Sequence, residues 1–480
     1  MGRAELGTPH LLALSLLSGV LLALSYSLYP LWWAAWAAPA PGVAAVLLAP
    51  AALRRRLGLA AGLLAGASTF AYHLTIGGWA TTLVIFGLVA LAWASVFRLA
   101  ATSAERQSAL AAVLVVPAAW AAIDTLMIYF SPHGGAGSIA YSQMAFLPVV
   151  QIASVGGVPA VSFVPLLAGS YAGLALARAL GAPLRGLRAA GALTAAVVGC
   201  SLLFGVARLS VTPADEGVRV AMLATDGLRE RPRDWRSLRE AYGPAITRAA
   251  VPGAVVLLPE AVASLDAAEA DKTAAALASF ARIRAATVVA GVVVTDGARI
   301  TNRALVARAN GHHSWYVKRH LVPGFEARMT PGDRPLMLDA TLTGVGVAIC
   351  KDMHFPTLGR EYALAGTRLM LIPALDFDVD DEMASRMTAL RGVEGGYSVA
   401  RATRRGFSMA SDPYGRVLAE HRSGRALSTL TAIVPVASTG PTIYSKIGDA
   451  FGWLCVVGWA VLIFGRFLKP SSRPAIPMSA

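Results

Sequence analysis

The sequence predicts a two-part fold, a multi-span α-helical membrane domain followed by a layered α/β domain. Three observations carry this. The 480 residues are 56% hydrophobic and only 15% charged, where a soluble domain carries about 25% charged residues. Mean hydropathy is +0.57. Apolar runs of roughly 20 residues, the length that crosses a bilayer, crowd the first 209 positions, and near Arg208 the pattern changes to short apolar strands alternating with helical spacings.

The runs lie near 11–29, 32–50, 58–76, 79–97, 108–129, 159–178 and 189–208, with one more near 450–467. Trp32, Trp33 and Trp36 suit an interfacial aromatic belt. The first run lacks a small-residue cleavage motif and reads as a retained span. Charges between the runs orient the chain. Arg3 precedes the first, and Arg54, Arg55 and Arg56 follow the second. Arg98 and Arg106 follow the fourth, Arg178, Arg185 and Arg188 separate the sixth and seventh, and Arg466, Lys469 and Arg473 follow the last. Alternation puts all of them on one side, which the positive-inside rule makes cytoplasmic. Residues 210–445 then face outward. The net charge of +14 is scattered, with no basic run, so no nucleic-acid partner is expected.

The 130–158 segment carries no Lys or Arg and contains His133, Gly134, Gly135 and Gly137. Such glycines alone are a weak phosphate signal, and no Lys-Ser/Thr follows. A packed loop on the outer face, touching the large domain, is expected. Asp124 is the one clear intramembrane charge, too little to argue transport.

In the second part, strands are predicted at 218–223, 255–258, 288–294, 302–306, 314–317, 345–349, 369–372, 397–401, 406–411 and 429–434. Helices are predicted at 234–250, 267–285, 357–366 and 381–395. Of three cysteines, Cys200 and Cys455 lie in apolar runs and read as inert. Cys350 ends an apolar strand and has no zinc-type or disulfide partner. His312 and His313 follow Asn310-Gly311 and read as a solvated turn; no metal or cofactor is expected.

Glu260 and Lys318 also end predicted strands. A thiol attacking an ester or amide needs a proton acceptor, stabilisation of the oxyanion and a proton donor for the leaving group. A carboxylate, an ammonium and a cysteine supply these without histidine. Position alone leaves a buried core cysteine, a turn glutamate and a solvent-facing lysine as plain alternatives.

The stretches LLPEA (257–261), YVKRHLVPGFE (316–326) and VAICKD (347–352) resemble the nitrilase superfamily of carbon–nitrogen hydrolases, as does the late region 391–417. Within it, the chain resembles the apolipoprotein N-acyltransferase family, through residues 140–164, NRALV (302–306), HLVP (320–323) and PTIYSKIGDAFGWLC (441–455). The resemblance implies an α-β-β-α sandwich at 210–445 on the periplasmic face of the inner membrane. A domain of about seven spans would occupy 1–209, and a final span with a cytoplasmic tail 446–480. It implies Cys350 as nucleophile, Glu260 as general base and acid, and Lys318 on the oxyanion. Glu326 and Asp352 would support the site, and the Lys351 backbone N–H would complete the oxyanion hole. The implied reaction takes an acyl chain from a membrane phospholipid through a thioester to the amine of a diacylglyceryl-cysteine lipoprotein, in a monomer. A membrane-tethered amidase with the same triad is the alternative.

The chain departs from the family at Gly324-Phe325, at Lys351-Asp352 and at Leu258. It also departs at an acidic loop holding Asp376, Asp378, Asp380, Asp381 and Glu382, which reads as solvated.

Overall fold

A computed structural model describes residues 6–26, 28–212, 217–228, 230–338, 344–436 and 440–468. Arg3, Lys469 and Arg473 lie outside them. The membrane half contains α1 (Thr8–Tyr26), α2 (Ala34–Ala37), α3 (Pro39–Leu48), α4 (Ala51–Ala67), α5 (Phe70–Arg106), α6 (Ala109–Phe130), α7 (Leu147–Val150), α8 (Ala153–Ala179) and α9 (Leu187–Leu209). Among the described residues, α1, α5, α6, α8 and α9 are long and apolar enough to cross a membrane.

The expected spans at 32–50 and 58–76 come out differently. Proline has no N–H to continue a helix. Pro39 therefore opens α3 and Pro50 precedes α4, so the first of these runs becomes shorter helices. The run 58–76 straddles the break between α4 and α5. Helix α5 absorbs 37 residues by bending at Gly78, whose φ of 70° and ψ of −177° suit only glycine. The expected final span is α15 (Ala450–Leu468), of which Ala450–Val461 is the apolar helix among the described residues.

The basic clusters meet at one end of the bundle. Arg54, buried rather than solvated, pairs with Glu105 near the end of α5. The Ala109 N–H at the start of α6 donates to the Arg185 carbonyl between α8 and α9, at 2.8 Å.

From Gly217 the chain runs β1 (Gly217–Ala224), α10 (Trp235–Ala249), β2 (Val255–Leu257), β3 (Ala263–Asp266), α11 (Ala267–Arg284), β4 (Thr287–Asp296), β5 (Arg299–Ala307) and β6 (His313–Val317). It continues with β7 (Leu336–Leu338), β8 (Val345–Val347), a 3-10 turn Cys350–His354, α12 (Pro356–Leu364), β9 (Leu369–Leu375) and α13 (Asp381–Gly395). It closes with β10 (Ser398–Arg404), β11 (Phe407–Ser411), β12 (Val417–Arg422), β13 (Ser428–Pro435) and α14 (Ile443–Ile447) before α15. The predicted strands and helices are present. Short β3 and β7, and the polar strand β12, are additions that no apolar alternation announced.

Strand period explains the layers. In β1, Val220 and Met222 point to an apolar core shared with Val347, Leu369 and Leu371 of the other sheet. Ala221 and Leu223 point the opposite way, onto α10 and α11. The sheets have orders β13-β1-β2-β4-β5-β6, with β3 beside β4, and β12-β11-β10-β9-β8-β7. In the second, Met370 and Ile372 face α12. The result is an α-β-β-α sandwich.

Its α13 side rests on the membrane half. The 130–158 segment is a packed junction, as expected. Gly135 N–H donates to the His354 carbonyl at 2.9 Å, and Arg391 donates to Tyr141 at 3.1 Å. Trp32 stacks on Phe146 at 4.5 Å, and Trp36 donates to Gln143 at 2.8 Å, so these rings grip that segment. Helix α8 breaks at Gly157 (φ 68°), which frees the Val158 N–H to donate to Glu394 at 2.9 Å. The PTIYSKIGDAFGWLC motif closes the same junction. Tyr444 and Tyr129 both donate to Asp449, at 2.9 and 3.0 Å. Asp124 is likewise structural here, buried and accepting from Ser138 at 2.9 Å and Ser162 at 2.6 Å.

Arg391 and Glu394 form a fully buried pair at this junction. Glu394→Ala would strand the guanidinium, at a cost of about 3–5 kcal/mol. The unfolding midpoint of the purified full chain should fall by roughly 10 °C; an unchanged midpoint would contradict the junction's role.

Candidate active site

Three strand ends of the two facing sheets converge. Glu260 lies just beyond β2, where its N–H donates to the Ala374 carbonyl of β9 at 3.2 Å. Gly291 of β4 lies beneath it. A Cβ there would meet the Glu260 Cα at 2.5 Å, so only glycine lets the strand pass. Lys318 follows β6 directly, and its N–H donates to the Asn302 carbonyl of β5 at 2.8 Å. Glu326 sits on the turn after Pro323.

These residues form one buried cluster. Lys318 Nζ donates to Glu260 Oε1 at 2.8 Å and lies 2.9 Å from Glu326 Oε2. Asn302 Nδ2 donates to Glu260 at 2.5 Å and to Glu326 at 2.7 Å. The Val322 N–H holds the other Glu326 oxygen at 2.7 Å. The exposures of Lys318 and Glu260 are 1% and 3%, so water contributes little screening and the protein's own charges decide protonation. Burial raises the Glu260 pKa, and Lys318 opposes that rise. Burial alone would depress Lys318, but Glu260 and its neighbours outweigh it and hold the ammonium well above its ordinary value.

Cys350 enters from the second sheet. It opens the 3-10 turn after β8 with φ 44°, a left-handed backbone that non-glycine residues rarely adopt. Such a strained turn lifts a side chain off the strand end. The thiol is half-buried, with Sγ 3.5 Å from the Leu375 carbonyl. Burial and Glu260 push its pKa well up, while Lys318 pulls it down. The resting group is therefore a thiol beside a carboxylate that can accept its proton.

Asp352 buckles the turn to the lysine strand. It is fully buried. Its Oδ2 accepts from Tyr316 at 2.7 Å and Ile349 N–H at 3.0 Å. Its Oδ1 accepts from the N–H groups of His320 at 2.8 Å and Arg319 at 3.2 Å. Lys351 is buried too, with Nζ donating to the Leu321 carbonyl at 3.0 Å, and burial lowers its pKa to about 8.

The structure therefore brings Glu260, Lys318, Cys350, Glu326, Lys351 and Asp352 to one place. Asn302 belongs with them, although it stood only inside the NRALV match. Its signal was an amide at the position that alternates with inward-facing Ala304 and Val306. The acidic loop is corrected. Asp376, Asp380 and Asp381 are buried rather than solvated. Arginines distant in sequence compensate two of them. Arg401 pairs with Asp376, and Arg422 donates to Asp381 at 2.7 Å. Asp378 is exposed and pairs with Arg405. Asp380 accepts from the Phe377 N–H at 3.1 Å, and burial pushes it to about 7. Phe325 packs against Phe377 with ring centroids 4.8 Å apart and planes tilted by 58°, across the loops flanking the site. Cys200 is exposed on α9, and Cys455 is buried. His312 and His313 are exposed, as read.

Residues 240–444 match the family described as carbon–nitrogen hydrolase, and residues 18–171 match the apolipoprotein N-acyltransferase N-terminal domain. A protein of Geobacter metallireducens named apolipoprotein N-acyltransferase is 26% identical, over 95% of both chains. A Synechocystis protein of the same name is 30% identical over 149 residues, 30% of this chain and 28% of its own. Among solved structures, mutant forms of a nitrilase-superfamily amidase from Nesterenkonia AN1 are similar. One is 24% identical with a TM-score of 0.43, covering 50% of this chain and 98% of its own. Another, at 22% identity and TM-score 0.43, with the same coverage, carries the acetamide moiety of fluoroacetamide on its active-site cysteine. Both halves of the chain are thus matched in order: the membrane half is similar to the N-terminal domain of apolipoprotein N-acyltransferases, and the second half to the carbon–nitrogen hydrolases.

Proposed function

We propose that the protein transfers a fatty acyl chain from a membrane phospholipid, through a Cys350 thioester, to the N-terminal amine of a diacylglyceryl-cysteine lipoprotein. The observation that carries this is the buried carboxylate–ammonium cluster beside Cys350, in a sandwich whose turn after the cysteine touches a membrane loop. A lipid substrate needs that second feature, and a soluble amide does not.

Glu260 accepts the Cys350 proton as the sulfur attacks the ester carbonyl and a C–S bond forms. Lys318 and the Lys351 backbone N–H stabilise the oxyanion. The C–O bond then breaks, and Glu260 returns the proton to the departing lysophospholipid oxygen. In the second half, the lipoprotein amine attacks the thioester. A C–N bond forms, the C–S bond breaks, and the amine proton passes by way of Glu260 to the sulfur. Asn302 and Glu326 hold Glu260 and Lys318 in register throughout. Asp352 holds the nucleophile turn.

An outward, periplasmic placement of residues 210–445 is part of the proposal. It is supported by the clustering of Arg54 and Arg185 at one end of the bundle while the domain meets the 130–158 segment. Both termini would then be cytoplasmic, in the inner membrane.

Incubating the purified protein with a phospholipid should add one acyl mass to the wild type, and none to Cys350→Ala, by intact-mass measurement. Turnover of small amides with no lipid adduct would instead favour the amidase reading. The rate of adduct formation should also fall as pH is lowered. Protonation removes the base, and burial raises Glu260 above its ordinary 4.5. The acid limb should therefore lie above pH 4.5 and vanish in Glu260→Gln, whose residual rate should be lower by about 10²-fold or more. An acid limb at or below the ordinary value would oppose the role given to Glu260.

A further inference from the structure

The nucleophile turn carries basic groups that the chemistry above does not use. Lys351 and His354 stand three residues apart in the 3-10 turn Cys350–His354. In a 3-10 helix, side chains at that spacing lie one above the other on one side. Lys351 is 2% exposed. Its three N–H donors meet one acceptor, Leu321 O, and among the described residues it has no carboxylate in ion-pair range. Neighbouring Asp352 and Glu326 already accept from other groups at both oxygens. His354 Nδ1 is buried with no hydrogen-bond partner. Most buried polar atoms in native proteins are satisfied, so the vacant Lys351 donors and the unpaired imidazole nitrogen leave hydrogen-bonding capacity that a ligand would take up.

The membrane half contributes a third basic group. The loop after α6 seats on His354 through Gly135 N–H, and Gly134 (φ 60°) lies so close that a Cβ would meet the His354 carbonyl at 2.6 Å. His133 precedes these glycines. Burial and the Lys351 charge both lower its pKa, and burial followed by Lys351 does the same to His354. Two neutral imidazoles thus stand near the Lys351 ammonium, whose carboxylate neighbours are already engaged by other groups. Just before His133 in the chain, Ile123, Leu126, Met127 and Phe130 of α6, with Ser131 and Pro132, line an apolar groove of about 420 Å³. The groove ends one residue before His133.

We propose that Lys351, His354 and His133 form a phosphate subsite that takes the phosphodiester of a glycerophospholipid, with an acyl chain of that lipid lying in the α6 groove. The Lys351 ammonium complements a phosphodiester, which is anionic at all physiological pH, and the neutral imidazoles can hydrogen-bond its oxygens. An apolar groove whose lining ends at Pro132, the residue before His133, suits a lipid rather than free phosphate. The subsite rests on the reading of the protein as a phospholipid-dependent acyltransferase, and adds to it how the donor is recognised. It also gives a reason for lysine directly after the nucleophile.

The test compares two donors with the same acyl chains, dipalmitoyl phosphatidylglycerol and phosphate-free dipalmitoylglycerol, in mixed micelles with the full chain. The readout is the ratio of their rate constants for Cys350 acylation. Wild type should favour the phospholipid at least tenfold. Lys351→Met and His133→Ala should each collapse that ratio at least fivefold. His133 lies on the membrane loop, so its variant reports even if Lys351→Met does not fold. Equal use of both donors by wild type, or a ratio unmoved in His133→Ala, would overturn the subsite while leaving acyl transfer standing. Absence of acylation by either donor would overturn the acyltransferase reading itself.

Discussion

One ammonium held between two buried carboxylates is the constraint on which the site depends. Lys318 touches Glu260 and Glu326 at once, at 1% exposure. A lone buried charge would cost several kcal/mol, and each member of this trio is tolerated only because the others are present. That mutual dependence sets the architecture around it. Asn302 bridges both carboxylates from β5, Gly291 lets β4 pass under Glu260, and the Asp352 buckle ties the cysteine turn to the lysine strand. The same low dielectric that makes the cluster costly to break makes it strong when charge develops next to it.

A second constraint ties this cluster to the membrane half. Helix α13 runs from the buried acidic loop to the junction. At its start Asp381 accepts from Tyr29 of the membrane half at 3.2 Å, and at its end Glu394 meets the broken helix α8. The strand ends of the site and the helices of the bundle are thereby set in one frame. A change at the junction would be felt through α13 as a change in where the acidic loop, and with it Leu375 beside the thiol, sits.

Much of this was readable in the sequence. Short apolar runs between helical spacings located the strands, and Glu260, Lys318 and Cys350 stood out because polar residues directly follow such runs. The acidic loop was not readable, because its compensation is non-local. Arg401 and Arg422 lie 25 and 41 residues from their partners Asp376 and Asp381, and only the sheet brings them back. Asn302 was hidden because an amide inside a strand announces no direction until the facing strand is known. The break near Ser68-Thr69 inside the run at 58–76 leaves no mark in a stretch rich in alanine and glycine, and the pairing of Arg54 with Glu105 spans 51 residues. Lys351 and Asp352 share a motif position yet do different things. The aspartate is saturated by Tyr316 and three backbone N–H groups, and the lysine is not.

The central claim is that the thioester waits for an amine rather than for water. The most direct measurement isolates the acylated wild-type protein, free of donor lipid, and follows loss of the acyl mass with and without a synthetic diacylated lipopeptide bearing a free α-amine. The account predicts that the adduct is stable alone, and that adding the lipopeptide discharges it at least tenfold faster with one acyl chain gained on the peptide. Discharge to free fatty acid at the same rate in both cases would contradict it.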